Sequence, residues 1–120
     1  MEHVAIIGAT EKEGRYARMA QELLTEHGHR VYPITLKPNT VLGIPSFQSI
    51  EAITDPIDTV TLYVRPEYLT PHVQPIIRKG VKRVIMNPGT ESETAKVELE
   101  AAGIEVVEGC TLVMLRTDQF

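Results

Sequence analysis

The chain of 120 residues sets 12 Lys and Arg against 16 Asp and Glu, a formal net charge of -4. That balance excludes a general nucleic-acid binder, which needs a basic face against the phosphate backbone. The length allows one domain spanning 1–120 around a single core, with no room for a second catalytic domain. One cysteine, Cys110, excludes an intrachain disulfide and fits a reducing compartment.

An apolar strand at 3–7, His3-Val4-Ala5-Ile6-Ile7, runs straight into Gly8-Ala9-Thr10-Glu11-Lys12-Glu13-Gly14-Arg15 and then into a helix predicted over 15–27. A glycine at the end of a buried strand lets backbone amides approach a phosphate. The N-terminus of the next helix adds unpaired N–H groups and a partial positive charge. The first apolar run is far short of the roughly 20 residues of a membrane span, so a cytoplasmic protein with no membrane association is expected. In the helix, Tyr16, Met19, Ala20, Leu23, Leu24 and His27 share one face, and Gly28 is its stop.

A second strand follows at 30–34, and beyond it Thr35-Leu36-Lys37. An NAD-binding unit should carry a carboxylate roughly 20 residues after the glycine loop, on the ribose hydroxyls. This chain has Lys37 there, which suits a ligand with an extra ribose phosphate. Pro38, Gly43 and Pro45 then break the pattern, and only 47–53 could form a short helical turn, so the second crossover is abbreviated. A strand at 57–63 leads to a helix over about 67–79, with Thr70-Pro71 a good start and Pro75 predicting a late start or a kink. The remaining elements are a strand at 82–87, a helix at 91–102 opened by a capping-box spacing at Thr90-Glu91-Ser92-Glu93, and a strand at 104–108.

Such alternation specifies an α/β fold: a Rossmann-like, doubly wound, parallel five-stranded sheet with helices on both faces. The expected order is 3-2-1-4-5, with a crevice where the order reverses, at the carboxyl ends of strands 1 and 4. Five segments then meet on one edge: Gly8 to Arg15, Pro33 to Lys37, Tyr63 to Pro66, Asn87 to Thr90 and Gly109 to Thr111.

Taken together, Ile7-Gly8-Ala9-Thr10, Val31-Tyr32-Pro33-Ile34, Leu42-Gly43-Ile44-Pro45, Ile57-Asp58-Thr59-Val60, Arg65-Pro66-Glu67, Asn87-Pro88-Gly89 and Ala102 to Cys110 resemble the small stand-alone CoA-binding domain proteins. That family is similar to the N-terminal CoA-binding domain of the succinyl-CoA synthetase alpha subunit, and the resemblance covers nearly the whole chain. The first loop departs from GxGxxG, with Gly14 six positions after Gly8, and Asn87 stands where the family often has glutamine.

The resemblance implies a binder of CoA or an acyl-CoA. Gly8, Ala9 and Thr10 would shape the turn under the diphosphate, with Lys12 and Arg15 closing on the phosphates. Pro33 and Lys37 would flank the adenosine, Lys37 meeting the 3'-phosphate, and Val64 and Arg65 would line the adenine and ribose. Asn87, Pro88 and Gly89 would stand where the pantetheine arm leaves. No catalytic constellation and no metal-ligand spacing is visible: the four histidines are scattered, and Cys110 reads as a structural cysteine.

A non-catalytic binding protein for a small-molecule nucleotide is the leading reading. One alternative is an NADP-binding oxidoreductase or regulatory domain, whose 2'-phosphate could also use Lys37. Another is an interaction subunit with a vestigial CoA site, supplied to a synthetase-like partner. Homodimerisation is also compatible with edge strands that need covering.

Overall fold

The computed structural model describes residues 1–37 and 39–120; Pro38, one of the predicted breakers, lies outside the described residues. Five strands, β1 (His3–Ile7), β2 (Arg30–Ile34), β5 (Thr59–Leu62), β6 (Arg83–Met86) and β7 (Glu105–Glu108), form one parallel sheet in the order β2-β1-β5-β6-β7. Their runs are apolar because parallel strands are covered on both faces. Val4, Ala5, Ile6, Val60, Leu62, Val84 and Ile85 are fully buried.

Helices α1 (Tyr16–Glu26) and α4 (Thr111–Arg116) cover one face, where Leu24 and Leu115 pack on Val4 and Ile6. Helices α2 (Thr70–Lys79) and α3 (Glu93–Ala101) cover the other, where Val73, Ile76, Ala95 and Leu99 pack on Ala5, Ile7, Val60 and Leu62. Each Val, Leu or Ile among them contributes about 1.5–3 kcal/mol on full burial. The doubly wound α/β architecture is therefore the expected one.

One detail of the expected order needs correction. The strand third in the chain, β5, does not lie outside β2; it pairs with β1, Ile6 standing beside Thr61. The place outside β2 is held by a single parallel bridge from Phe47 to Ile34, closed by Phe47 N–H to Pro33 O and Thr35 N–H to Phe47 O, both 2.9 Å. The Rossmann pattern survives with its third strand shrunk to this bridge, and β5 takes the fourth place. The physical reason is the connection that follows: it buries Ile50, Ile53 and Ile57 on the face opposite α1 and so carries the chain back past β1. Pro33 fits here because its missing N–H falls at a sheet edge.

In place of a crossover helix, the segment after β2 folds into a hairpin of β3 (Thr40–Val41) and β4 (Ile44–Pro45). Its two turn residues, Leu42 at φ 52 and Gly43 at φ 79, both take the left-handed region that a tight two-residue hairpin requires. Helix α2 starts late, as Pro75 predicts, after a 3-10 turn over Pro66–Tyr68, with Pro71 in its first turn and Pro75 inside it. Helix α3 begins later than the 91–102 expectation. Its cap is Ser92, whose hydroxyl accepts from Ala95 N–H at 3.2 Å, whereas Thr90 bonds back to Asn87. Helix α4 goes beyond the sequence reading, which ended its elements at 108.

Candidate functional site

Because every sheet strand runs the same way, the five carboxyl ends meet on one edge. After β1 the chain turns to the α1 face, and after β5 to the α2 face, so the crevice opens between β1 and β5. This corrects the expectation that placed its far wall at the 82–87 strand.

Gly8 forms the floor. Its φ is 89, and a Cβ on it would stand 2.7 Å from Tyr63 O and 3.0 Å from Val64 Cγ1, so the turn closes only on a glycine. Gly8 N–H and Ala9 N–H both donate to Ile34 O, at 3.2 and 3.1 Å. They close the turn onto β2, and their amides are committed. The amides without a partner come later: among the described residues, no acceptor takes the amides of Thr10, Glu11, Glu13 or Gly14, and no side chain caps α1 after the extended Arg15. Thr10 Oγ1 accepts from Lys12 N–H at 3.2 Å, which leaves the hydroxyl proton to donate.

Lys12, Arg15, Lys37 and Arg65 are all exposed on this edge. Arg65 lies 4.0 Å from Glu67, a solvated pair that leaves its guanidinium available. Val64 is half-buried beside Gly8, and Pro33 is buried within β2, so its ring is part of the sheet and not of the rim. Pro88 and Gly89 are exposed at the lip after β6.

Asn87 is buried, 2% exposed. Its Nδ2 donates to Thr61 Oγ1 at 2.7 Å and to Leu62 O at 2.8 Å, and its Oδ1 accepts from Thr111 N–H at 2.9 Å. Cys110 is half-buried just before α4. Tyr63 packs against the core cluster on the α1 face, and burial pushes its hydroxyl pKa up to about 12.

Three participants were given no individual role by the sequence pattern. Thr61 and Thr111 bond to each other at 2.8 Å inside the fold, and Glu11 Oε1 accepts from Leu42 N–H at 2.7 Å, tying the glycine loop to the hairpin. Thr61 carried a signal: a hydroxyl in a strand buried on both faces must find a partner. The Glu11 contact spans 31 positions and leaves no local trace.

Two other hollows lie away from the glycine loop. A charged cleft of about 350 Å³ at the opposite, amino-terminal edge is lined by Glu2, Asp58, Lys82, Arg83 and Glu105, and a groove of about 160 Å³ separates α2 from α3. The edge cleft is internally neutralised, with Arg83 paired to Glu2 at 3.4 Å and Lys82 to Asp58 at 3.3 Å.

Free loop amides, an uncapped eleven-residue helix and four exposed cations fit a polyanionic nucleotide. The family model of the CoA binding domain matches residues 2–116. The chain belongs to the CoA-binding domain family. It is 33% identical over 98 residues to an ADP-forming acetate–CoA ligase of Methanocaldococcus jannaschii, a match that covers 81% of this chain and 14% of the ligase. The CoA-binding domain thus spans about one seventh of that relative's length.

Among solved structures, a crystal structure of an uncharacterized protein superposes on this domain with TM-score 0.93 and 42% identity, covering 100% of this chain and 98% of the other. A hypothetical protein from Pyrococcus horikoshii OT3 gives TM-score 0.91 and 32% identity, covering 95% and 81%. Among the described residues of the CoA-binding domain, no helix is long and apolar enough to cross a membrane.

Proposed function

We propose that this chain binds CoA or an acyl-CoA in the β1–β5 crevice as a stand-alone module, without catalysing a reaction itself. The diphosphate lies over Thr10 to Arg15, on the loop amides and the first turn of α1, with Lys12 and Arg15 closing on it. The adenosine extends toward the end of β2, where Lys37 takes the 3'-phosphate, and Val64 and Arg65 line its far side. Pantetheine leaves past Pro88 and Gly89. Family membership over 2–116 carries this reading, and the exposed cations on the same edge as the unpaired loop amides support it.

Calorimetric titration with CoA, dephospho-CoA, NAD and NADP at one fixed salt concentration tests the proposal. CoA is expected to bind and to beat dephospho-CoA; a preference for NADP overturns the assignment. The small share of the ligase that the chain spans supports a second reading, a domain working with a synthetase-like partner. Binding to none of the four ligands, together with a stable partner in a pull-down, would favour that reading.

A further inference from the structure

We propose that Asn87 is the positioning residue of this crevice: it does not meet the ligand but holds three of the crevice walls in register. This rests on the CoA reading above. Both Nδ2 protons are committed, to Thr61 Oγ1 and Leu62 O, and Oδ1 is committed to Thr111 N–H. A flipped amide would turn its donors toward the Thr111 N–H and its oxygen toward the Leu62 carbonyl, so the orientation is determined by the partners. Thr61 Oγ1 accepts from Asn87, which leaves its proton for Thr111 Oγ1 at 2.8 Å. The result is a closed ring through Asn87, Thr61 and Thr111.

Three groups of Asn87 each hold one wall: Nδ2, Oδ1 and the main-chain carbonyl. Leu62 precedes Tyr63 and Val64, the pair against which Gly8 packs. Thr111 begins α4, whose preceding residue Cys110 supplies no side-chain cap, so Oδ1 of Asn87 is the cap and sets Gly109 and Cys110. The Asn87 carbonyl accepts from Thr90 N–H at 3.0 Å and Thr90 Oγ1 at 2.8 Å, which folds Pro88 and Gly89 into the lip. The α4 start and the lip lie on the side where pantetheine leaves; the Tyr63–Val64 wall also borders the adenosine, but there Tyr63 N–H is held independently by Ile7 O at 2.8 Å.

Calorimetry with CoA and with adenosine 3',5'-bisphosphate, on the full chain, separates positioning from general support. Asn87→Asp keeps the shape and the acceptor for Thr111 but sets a carboxylate against the Leu62 carbonyl. Burial raises that carboxyl's pKa, and protonation returns one O–H donor. Near pH 8 the variant is expected to bind CoA about tenfold more weakly than wild type, recovering toward wild type near pH 5, with bisphosphate affinity unchanged within about twofold. The wild type over the same pH range is the reference for titration of the ligand's own phosphate.

Equal loss for both ligands with no recovery at low pH makes Asn87 merely structural and overturns the proposal, as does wild-type affinity near pH 8. If Asn87→Asp does not fold, Thr61→Val, which opens the ring at one hydroxyl, carries the test. It is expected to lose CoA affinity by about threefold and leave the bisphosphate unchanged; equal losses, or none, overturn the proposal. A wild type that binds no CoA overturns both this inference and the function on which it rests, whereas a wild type that binds CoA alongside indifferent variants overturns this inference alone.

Discussion

The α-carbon of Gly8 faces the backbone of Tyr63 so closely that a Cβ on it would stand 2.7 Å from the carbonyl oxygen and 2.9 Å from the carbonyl carbon. Backbone cannot swing aside as a flexible side chain would, and the φ of 89 disfavours any L side chain. Gly8→Ala is expected to destabilise the protein by about 2–4 kcal/mol in urea unfolding and to weaken CoA binding beyond what the lost stability explains. A stable variant with unchanged affinity would move the ligand away from this turn.

Lys37 stands exposed beyond β2, at the end of the crevice assigned to the adenosine. Lys37→Ala is expected to cost CoA about 10- to 100-fold in affinity, the range of a lost charge-assisted hydrogen bond, and to leave dephospho-CoA little changed. Titration of both ligands checks this, and equal losses would remove Lys37 from the 3'-phosphate.

The Glu11 carboxylate holds Leu42 N–H at 2.7 Å, and Gln21 Nε2 holds Val41 O at 2.9 Å, so two adjacent residues at the entry to the turn strap the hairpin to the glycine loop and to α1. Glu11→Ala frees one strap at the residue with φ 52. Hydrogen exchange at the Leu42 amide is expected to quicken by about tenfold, with core strands unaffected. An unaltered rate would mean that the carboxylate contact does not order the turn.

Burial holds the imidazoles of His72 and His29 below their ordinary value of 6.5. The unfolded chain therefore takes up these protons first. Stability from this source is fully present above pH 6.5 and is lost as pH falls through that value toward the folded ones. His72→Gln is expected to flatten the fall in urea midpoint between about pH 7 and pH 5; an unchanged slope would assign the dependence to other groups.

Alternating apolar runs and helical stripes, the strand-to-glycine turn at Ile7-Gly8 and the prolines around α2 were legible because each is a local property of backbone geometry or side-chain period. So was Lys37 as the cation replacing an acidic residue after β2. By sequence alone, this chain was determined to be an α/β nucleotide-binding fold with its loops on one edge. Tertiary structure decided which strand lies beside β1, because that depends on where Ile50, Ile53 and Ile57 find cover. It also decided that the Gly8 and Ala9 amides turn inward to Ile34, leaving the later loop amides as donors. Asn87 shows the division most clearly: its residue type and place at a strand end are local, but its partners lie 24 to 26 positions away. A buried amide must be satisfied, and only the packed sheet determines by which groups.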